Sequence, residues 1–241
     1  MSWQAAHLVS RRNETAEAVT LVFGVPRWPG HLPGQHVDVR LTADDGYSTQ
    51  RSYSMAAPDH GAQVELTVQV VPAGEVSPFL ARDLAVGDPV ELRGPIGGWF
   101  VWHPQSTRPT LLLAGGSGVV PLMAMLRARH EAGNTVPMLL VYSVRTPTDA
   151  IYADELARRA ARDEGLAVKL LHTRQAPTAG GRPVGRVTRE ELATWVRTLG
   201  VDSDVFVCGP TGFVDAAADA LVDIGVPAGL VRTERFGPSG G

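Results

Sequence analysis

The sequence predicts a β + α/β chain: an antiparallel β-barrel over residues 1–105, then a parallel-sheet α/β domain over residues 106–241. Three observations predict it. Val37-Asp38-Val39-Arg40-Leu41 and Val64-Glu65-Leu66-Thr67-Val68-Gln69-Val70 alternate apolar and polar residues, the period of a half-buried strand. Beyond Thr107 the apolar residues instead form continuous runs separated by helix-length stretches, the pattern of crossover units on a parallel sheet. The change falls in His103-Pro104-Gln105-Ser106, a polar stretch with a proline.

In the first half, Pro33-Gly34, Asp45-Gly46, His60-Gly61, Val86-Gly87-Asp88-Pro89 and Gly94-Pro95 punctuate short strands at the spacing of a barrel or sandwich. Ser77 in an N-cap position and Pro78 at the first helical position predict a short helix over 78–84. In the second half, strands are predicted over 110–114, 138–142, 167–172 and 205–208. The helices fall near 121–131, 151–163, 189–198 and 212–224. No internal repeat or low-complexity segment interrupts this order.

At 241 residues the chain accommodates one large domain or two ordinary ones, and 44% hydrophobic residues is typical of a globular protein. A formal net charge of −3 gives no sign of a nucleic-acid groove. No apolar run reaches membrane-spanning length, and MSWQAAHLVSRR does not read as a signal peptide, so cytoplasmic residence is expected. Cys208 is the one cysteine, too few within these residues for a disulfide or a four-cysteine iron–sulfur cluster. All basic residues but Lys169 are arginines, a bias that genome composition explains better than phosphate binding does, and no partner follows from it.

Three short motifs carry chemistry. Ala114-Gly115-Gly116-Ser117-Gly118-Val119-Val120-Pro121 joins a buried strand to a helix. Glycines there allow close approach of a ligand, and free N–H groups at the helix start attract phosphate. The third glycine of the usual dinucleotide fingerprint is replaced by Pro121. Val119, where a hydrolase elbow needs glycine, argues against Ser117 as a nucleophile. A second phosphate-friendly helix start is expected at Ser77. In Arg51-Ser52-Tyr53-Ser54, a strand alternation puts Arg51 and Tyr53 on one face and Ser52 and Ser54 on the other. That mixture suits a flat ring carrying negative charge, or an ordinary half-exposed edge strand.

Together these motifs resemble the ferredoxin–NADP⁺ reductase family. Arg51–Ser54 looks like its Arg-x-Tyr-Ser flavin motif. The likeness continues through Pro33–Val37, the Gly-x-x-Ser of Gly74–Ser77, Gly94–Phe100, Gly115–Pro121, Val207–Pro210 and Glu234-Arg235-Phe236. It covers nearly the whole chain, in order. It implies a flavin-binding barrel and a nucleotide-binding α/β domain, with FAD and NAD(P)H as cofactors.

By that resemblance, Arg51 meets the flavin pyrophosphate, Tyr53 lies against the isoalloxazine ring and Ser54 presents a hydroxyl near the hydride-accepting nitrogen, with Ser52 in the same motif. The backbone around Val68 and Gln69 lines the flavin, and Glu75, Val76 and Ser77 hold its phosphates. Ser117, Gly118 and Val119 hold the nicotinamide nucleotide's pyrophosphate, and Cys208, Gly209 and Pro210 sit beside its nicotinamide. Glu234 is the carboxylate that orients that ring, and Phe236 the terminal aromatic that covers the flavin. Without the resemblance, Cys208 reads as a small buried hydrophobe and residues 234–236 as a solvated tail. Arg145, Arg174 and Arg186, following strands or a glycine-rich loop, favour NADPH weakly. The implied activity is electron transfer from NAD(P)H through FAD to a separate ferredoxin or oxygenase-type protein. Reduction of a small acceptor such as free flavin, and a non-enzymatic flavin-binding subunit, are the alternatives.

Overall fold

A computed structural model describes residues 2–43, 45–175 and 182–237. Two compact units divide the chain: Met1–His103 with Met123–Glu131, and Pro104–Leu122 with Ala132–Gly241.

In the first unit, six antiparallel strands, β1 (Gln4–Thr15), β2 (Ala18–Gly24), β3 (His36–Thr42), β4 (Ser48–Ser54), β5 (Gln63–Gln69) and β6 (Pro89–Ile96), lie in the order β4-β3-β6-β1-β2-β5. Just past β4, Met55 bridges to Leu66, and the Ala56 N–H donates to the Glu65 carbonyl at 2.8 Å. The two outer strands meet there, so the sheet closes into the expected barrel. Val37, Val39, Val64, Leu66 and Val68, the apolar members of the two alternating segments, all enter its core. Thr67 breaks the alternation: it is buried too, its hydroxyl 2.8 Å from that of Thr20.

The short helix departs from expectation. It begins at Val76, two residues early, with α1 (Val76–Pro78) running into a π-helical turn over Phe79–Asp83. Glu75 occupies the N-cap, and Ser77 is buried inside the first turn, its hydroxyl accepting the Val71 N–H at 3.0 Å. The far end is held by Arg11, whose guanidinium donates to the Leu84 carbonyl at 2.9 Å and to the Ala81 carbonyl.

In the second unit, five parallel strands, β7 (Thr110–Gly115), β8 (Met138–Val144), β9 (Leu166–His172), β10 (Asp204–Pro210) and β11 (Val231–Phe236), lie in the order β11-β10-β7-β8-β9. The helices α2 (Val119–Glu131), of which Met123–Glu131 belongs to the first unit, α3 (Ala153–Arg162), α4 (Arg189–Leu199) and α5 (Thr211–Asp223) start and stop within two residues of their predicted ends. β7 and most of β8 and β10 are buried along their length, as strands covered on both faces must be. The strand order reverses between β7 and β10, and the carboxyl ends of strands at such a reversal are where open α/β sheets generally bind ligands. Residues 234–236, which without the resemblance read as a solvated tail, instead belong to β11 beside β10.

Candidate functional sites

Each unit carries one candidate site. In the barrel, β4 and β5 part after the Met55–Leu66 bridge. Beyond it β5 pairs only with β2 among the described residues, so the Val68–Gln69 backbone keeps an open outer edge. Val68 itself is buried in the core and Gln69 is exposed. Across the opening stands β4. Arg51 is exposed, one guanidinium nitrogen donating to the Gln50 carbonyl at 2.7 Å. Tyr53 packs part of its ring against the barrel core, and burial pushes its hydroxyl pKa up. Ser54 is half-buried opposite His36, while Tyr53 lies opposite Val37, so the two residues face opposite sides of the strand as their alternation requires. Ser52 stands apart from this set, since its hydroxyl donates to Asp38 Oδ1 at 2.6 Å. Burial works against the Asp38 charge, but hydrogen bonds from Ser52 and Arg93 outweigh it and hold its pKa down.

Glu75 is exposed at the head of α1, which lies against β4, while Val76 and Ser77 are buried. Tyr47, in the turn before β4, donates its hydroxyl to Glu75 Oε2 at 3.0 Å and ties that turn to the head of α1. The sequence pointed to the Glu75 side of this pair; Tyr47 lies outside the motif and carried no signal. An exposed guanidinium, a half-buried aromatic face and an unpaired backbone edge fit a ligand with an anionic linker and a flat polar ring, which is the chemistry of FAD.

The second site is at the strand-order reversal. β7 ends at Gly115, and a 3₁₀ turn over Gly116–Gly118 leads into α2. Gly116 takes φ +56° with no heavy atom within 4 Å of where a Cβ would stand, which leaves room for a ligand. At Gly118 the reverse holds: a Cβ would run into the backbone carbonyl of Cys208. Gly118→Ala must therefore push the loop off β10. It is expected to destabilise the fold by about 2 kcal/mol or more and to abolish nicotinamide-nucleotide binding, measured by thermal melting and titration calorimetry. Gly115 and Gly209 both pack on Phe213, whose ring lies 2.9 Å and 2.8 Å from where their Cβ atoms would stand. Nothing in sequence marked Phe213 as their shared floor. Ser117 is half-buried in the loop and Val119 begins α2 in the core.

On β10, Cys208 is 1% exposed and pairs in register with Ala114 on one side and Glu234 on the other. Burial, helped by Glu234, drives the thiol pKa well up, so the side chain is a neutral S–H group. Burial likewise pushes Glu234 up to about 7. A carboxyl and a thiol both shifted by burial and brought together at the end of a parallel sheet mark a candidate functional site. Gly209 is buried and Pro210 exposed, and Pro210 pairs with Phe236, which is 36% exposed.

At the other side of the same sheet, backbone bonds gather the arginines. The Arg174 N–H donates to the Arg145 carbonyl at 2.9 Å, and the Gly185 N–H to the His172 carbonyl at 3.0 Å, which brings the 182–186 segment alongside. Arg145, Arg174 and Arg186 are all exposed and none forms an ion pair among the described residues. Arg182 differs: it is committed to Glu191 at 2.5 Å, which in turn completes the capping box of α4 with Thr188.

Comparison with known proteins matches residues 5–101 to the family described as "Oxidoreductase FAD-binding domain" and residues 112–219 to "Oxidoreductase NAD-binding domain". A flavohemoprotein of Pseudomonas putida is 30% identical over 236 residues, covering 96% of this chain and 58% of the relative. The ferredoxin–NAD(P)⁺ reductase component of a Ralstonia naphthalene 1,2-dioxygenase/salicylate 5-hydroxylase system is 30% identical over 214 residues, covering 86% of this chain and 61% of the relative. The chain thus spans about three fifths of the curated relatives it matches. A solved ferredoxin NADP⁺ reductase of Neisseria gonorrhoeae, with bound FAD and NADP, superposes with a TM-score of 0.81 at 19% identity, over 98% of this chain and 99% of that one, and shares its fold.

Proposed function

Because this chain belongs to the ferredoxin–NADP⁺ reductase-like family of two-domain FAD- and NAD(P)-binding oxidoreductases, we propose that it is an FAD-dependent NAD(P)H reductase that delivers electrons to a separate ferredoxin or oxygenase-type protein. The observation that carries the reading is the set of Gly118, Cys208 and Glu234 brought together where the parallel sheet reverses its order. Bound FAD would supply the redox chemistry, accepting a hydride from the reduced nicotinamide and releasing electrons singly.

The chain's own residues bind and orient. Arg51 holds the flavin diphosphate, Tyr53 offers ring area, Ser54 presents a hydroxyl to the reacting edge of the flavin, and the Val68–Gln69 edge and the Glu75–Ser77 turn line the remainder. In the other unit, the Ser117–Val119 turn holds the nicotinamide nucleotide's diphosphate. Cys208, Gly209 and Pro210 supply a dry surface for the nicotinamide, and Glu234 a carboxylate that balances positive charge on that ring. Phe236 is the removable aromatic. Residence in the cytoplasm, where reduced nicotinamide nucleotides are available, follows from this reading; no described helix is long and apolar enough to cross a membrane.

NADPH is expected to be the better coenzyme, by a modest factor. A carboxylate that would select NAD is missing from the ends of β8 and β9, where Arg145 and Arg174 stand instead. The measurement is kcat/KM for both coenzymes on wild type and on an Arg145→Ala, Arg174→Ala double variant. A wild-type preference for NADH overturns the assignment. A preference for NADPH that survives in the double variant moves it to other residues, Arg186 first. Saturation kinetics with free flavin against candidate acceptor proteins separates the protein-acceptor reading from small-acceptor reduction. A chain that binds flavin but is never reduced by either coenzyme would be a non-enzymatic subunit.

A further inference from the structure

Tyr47 has an unusual posture for a surface tyrosine. Its residue is 57% exposed, yet its hydroxyl donates to Glu75 Oε2 at 3.0 Å and its backbone N–H to Asp45 Oδ1 at 2.9 Å. The polar tip is tied down and the aromatic ring is what meets water. A single exposed aromatic is ordinary on a globular protein. One whose tip is hydrogen-bonded gives up part of its rotamer freedom, which favours one placement of the ring.

That place is informative. Glu75 heads α1, and Thr49 and Arg51 are close enough to Tyr47 to act on its hydroxyl electrostatically. The ring is therefore placed beside the two elements assigned to the flavin diphosphate, the Arg51 end of β4 and the Glu75–Ser77 turn. In FAD the group that follows the diphosphate is adenosine, a flat base with two stacking faces; FMN ends before it. Resting on the reading of the barrel as a flavin site, we propose that Tyr47, braced by Glu75, is the stacking platform for the adenine of FAD, and that it makes this chain select FAD over FMN.

The test is titration calorimetry of the apoprotein with FAD and with FMN, on wild type, Tyr47→Ala and Tyr47→Phe, with thermal melting as a control for folding. Base–aromatic stacking lost to alanine costs affinity by about tenfold. Tyr47→Ala is expected to lose that factor for FAD and nothing for FMN, so the ratio of the two affinities collapses. Tyr47→Phe keeps the ring and is expected to stay nearer wild type. Unchanged FAD affinity in Tyr47→Ala overturns the proposal, as does an equal loss for both flavins. A wild type that binds neither flavin overturns the flavin reading itself and this proposal with it, which sets that failure apart from the other two.

Discussion

Arg51→Ala is expected to yield protein that loses its flavin on dilution or gel filtration. Arg51 is exposed on β4, and among the described residues its guanidinium hydrogen-bonds only the Gln50 carbonyl. Among the described residues its charge enters no ion pair and only acts at a distance on the Tyr47 and Tyr53 hydroxyls, so its loss leaves the barrel intact. A charge-assisted contact to a diphosphate is worth about 1.5–3 kcal/mol, roughly tenfold to more than a hundredfold in FAD affinity. Arg51→Lys keeps the charge but not the planar fork and should recover only part of it. Equal FAD dissociation constants for wild type and Arg51→Ala would remove Arg51 from the flavin site. Unlike Tyr47→Ala, this change should weaken FAD and FMN together, because both carry the phosphate next to the riboflavin.

Glu234→Gln is expected to slow anaerobic flavin reduction while leaving the flavin spectrum nearly unchanged. Burial holds the carboxyl pKa at about 7, so the fraction ionised rises through neutrality. The ionised form can balance the positive charge that appears on the nicotinamide as hydride leaves, an effect on the order of 10²-fold for one preorganised group. The wild-type reduction rate should climb as pH rises through about 7, and the glutamine variant should be slow and flat. Stability should move the opposite way. The folded carboxyl keeps its proton up to about pH 7, whereas the unfolded chain releases it near 4.5. This group's contribution is therefore full at low pH and is lost as pH rises between those values, by roughly 3 kcal/mol. Glu234→Gln should melt higher than wild type above neutral pH, with a flatter melting profile. Slower reduction together with higher stability separates a functional carboxylate from a merely structural one. Cys208→Ala should also slow reduction, by less, since its neutral thiol supplies shape and not charge. Rates equal to wild type in both variants would take both residues out of the site.

Much of this was legible in the chain because the two halves obey different physics. Val64, Leu66 and Val68 had to alternate to fill a barrel with one wet face, while Leu111–Ala114 and Leu139–Tyr142 had to be continuous because helices cover both faces of their sheet. β1 was harder to see: register shifts between Leu8 and Ser10 and between Asn13 and Thr15 break its period of two. β11 was hidden because an edge strand of six residues with Arg232, Glu234 and Arg235 reads as a polar tail; only its pairing with β10 reveals why Glu234 is buried beside Cys208. The N-cap at Ser77 failed because a serine before a proline satisfies the start signal equally well from inside the first turn, where its hydroxyl accepts the Val71 N–H. Tyr47 was invisible because its meaning depends on Glu75, 28 residues away, bonding its hydroxyl.

The most direct test of the account is anaerobic titration of the purified, FAD-loaded protein with NADPH and with NADH. The expected result is a yellow protein whose flavin absorbance bleaches on addition of either coenzyme, faster with NADPH, and returns when an electron acceptor is admitted. A protein that cannot be loaded with FAD, or one that stays yellow with both coenzymes, would contradict it.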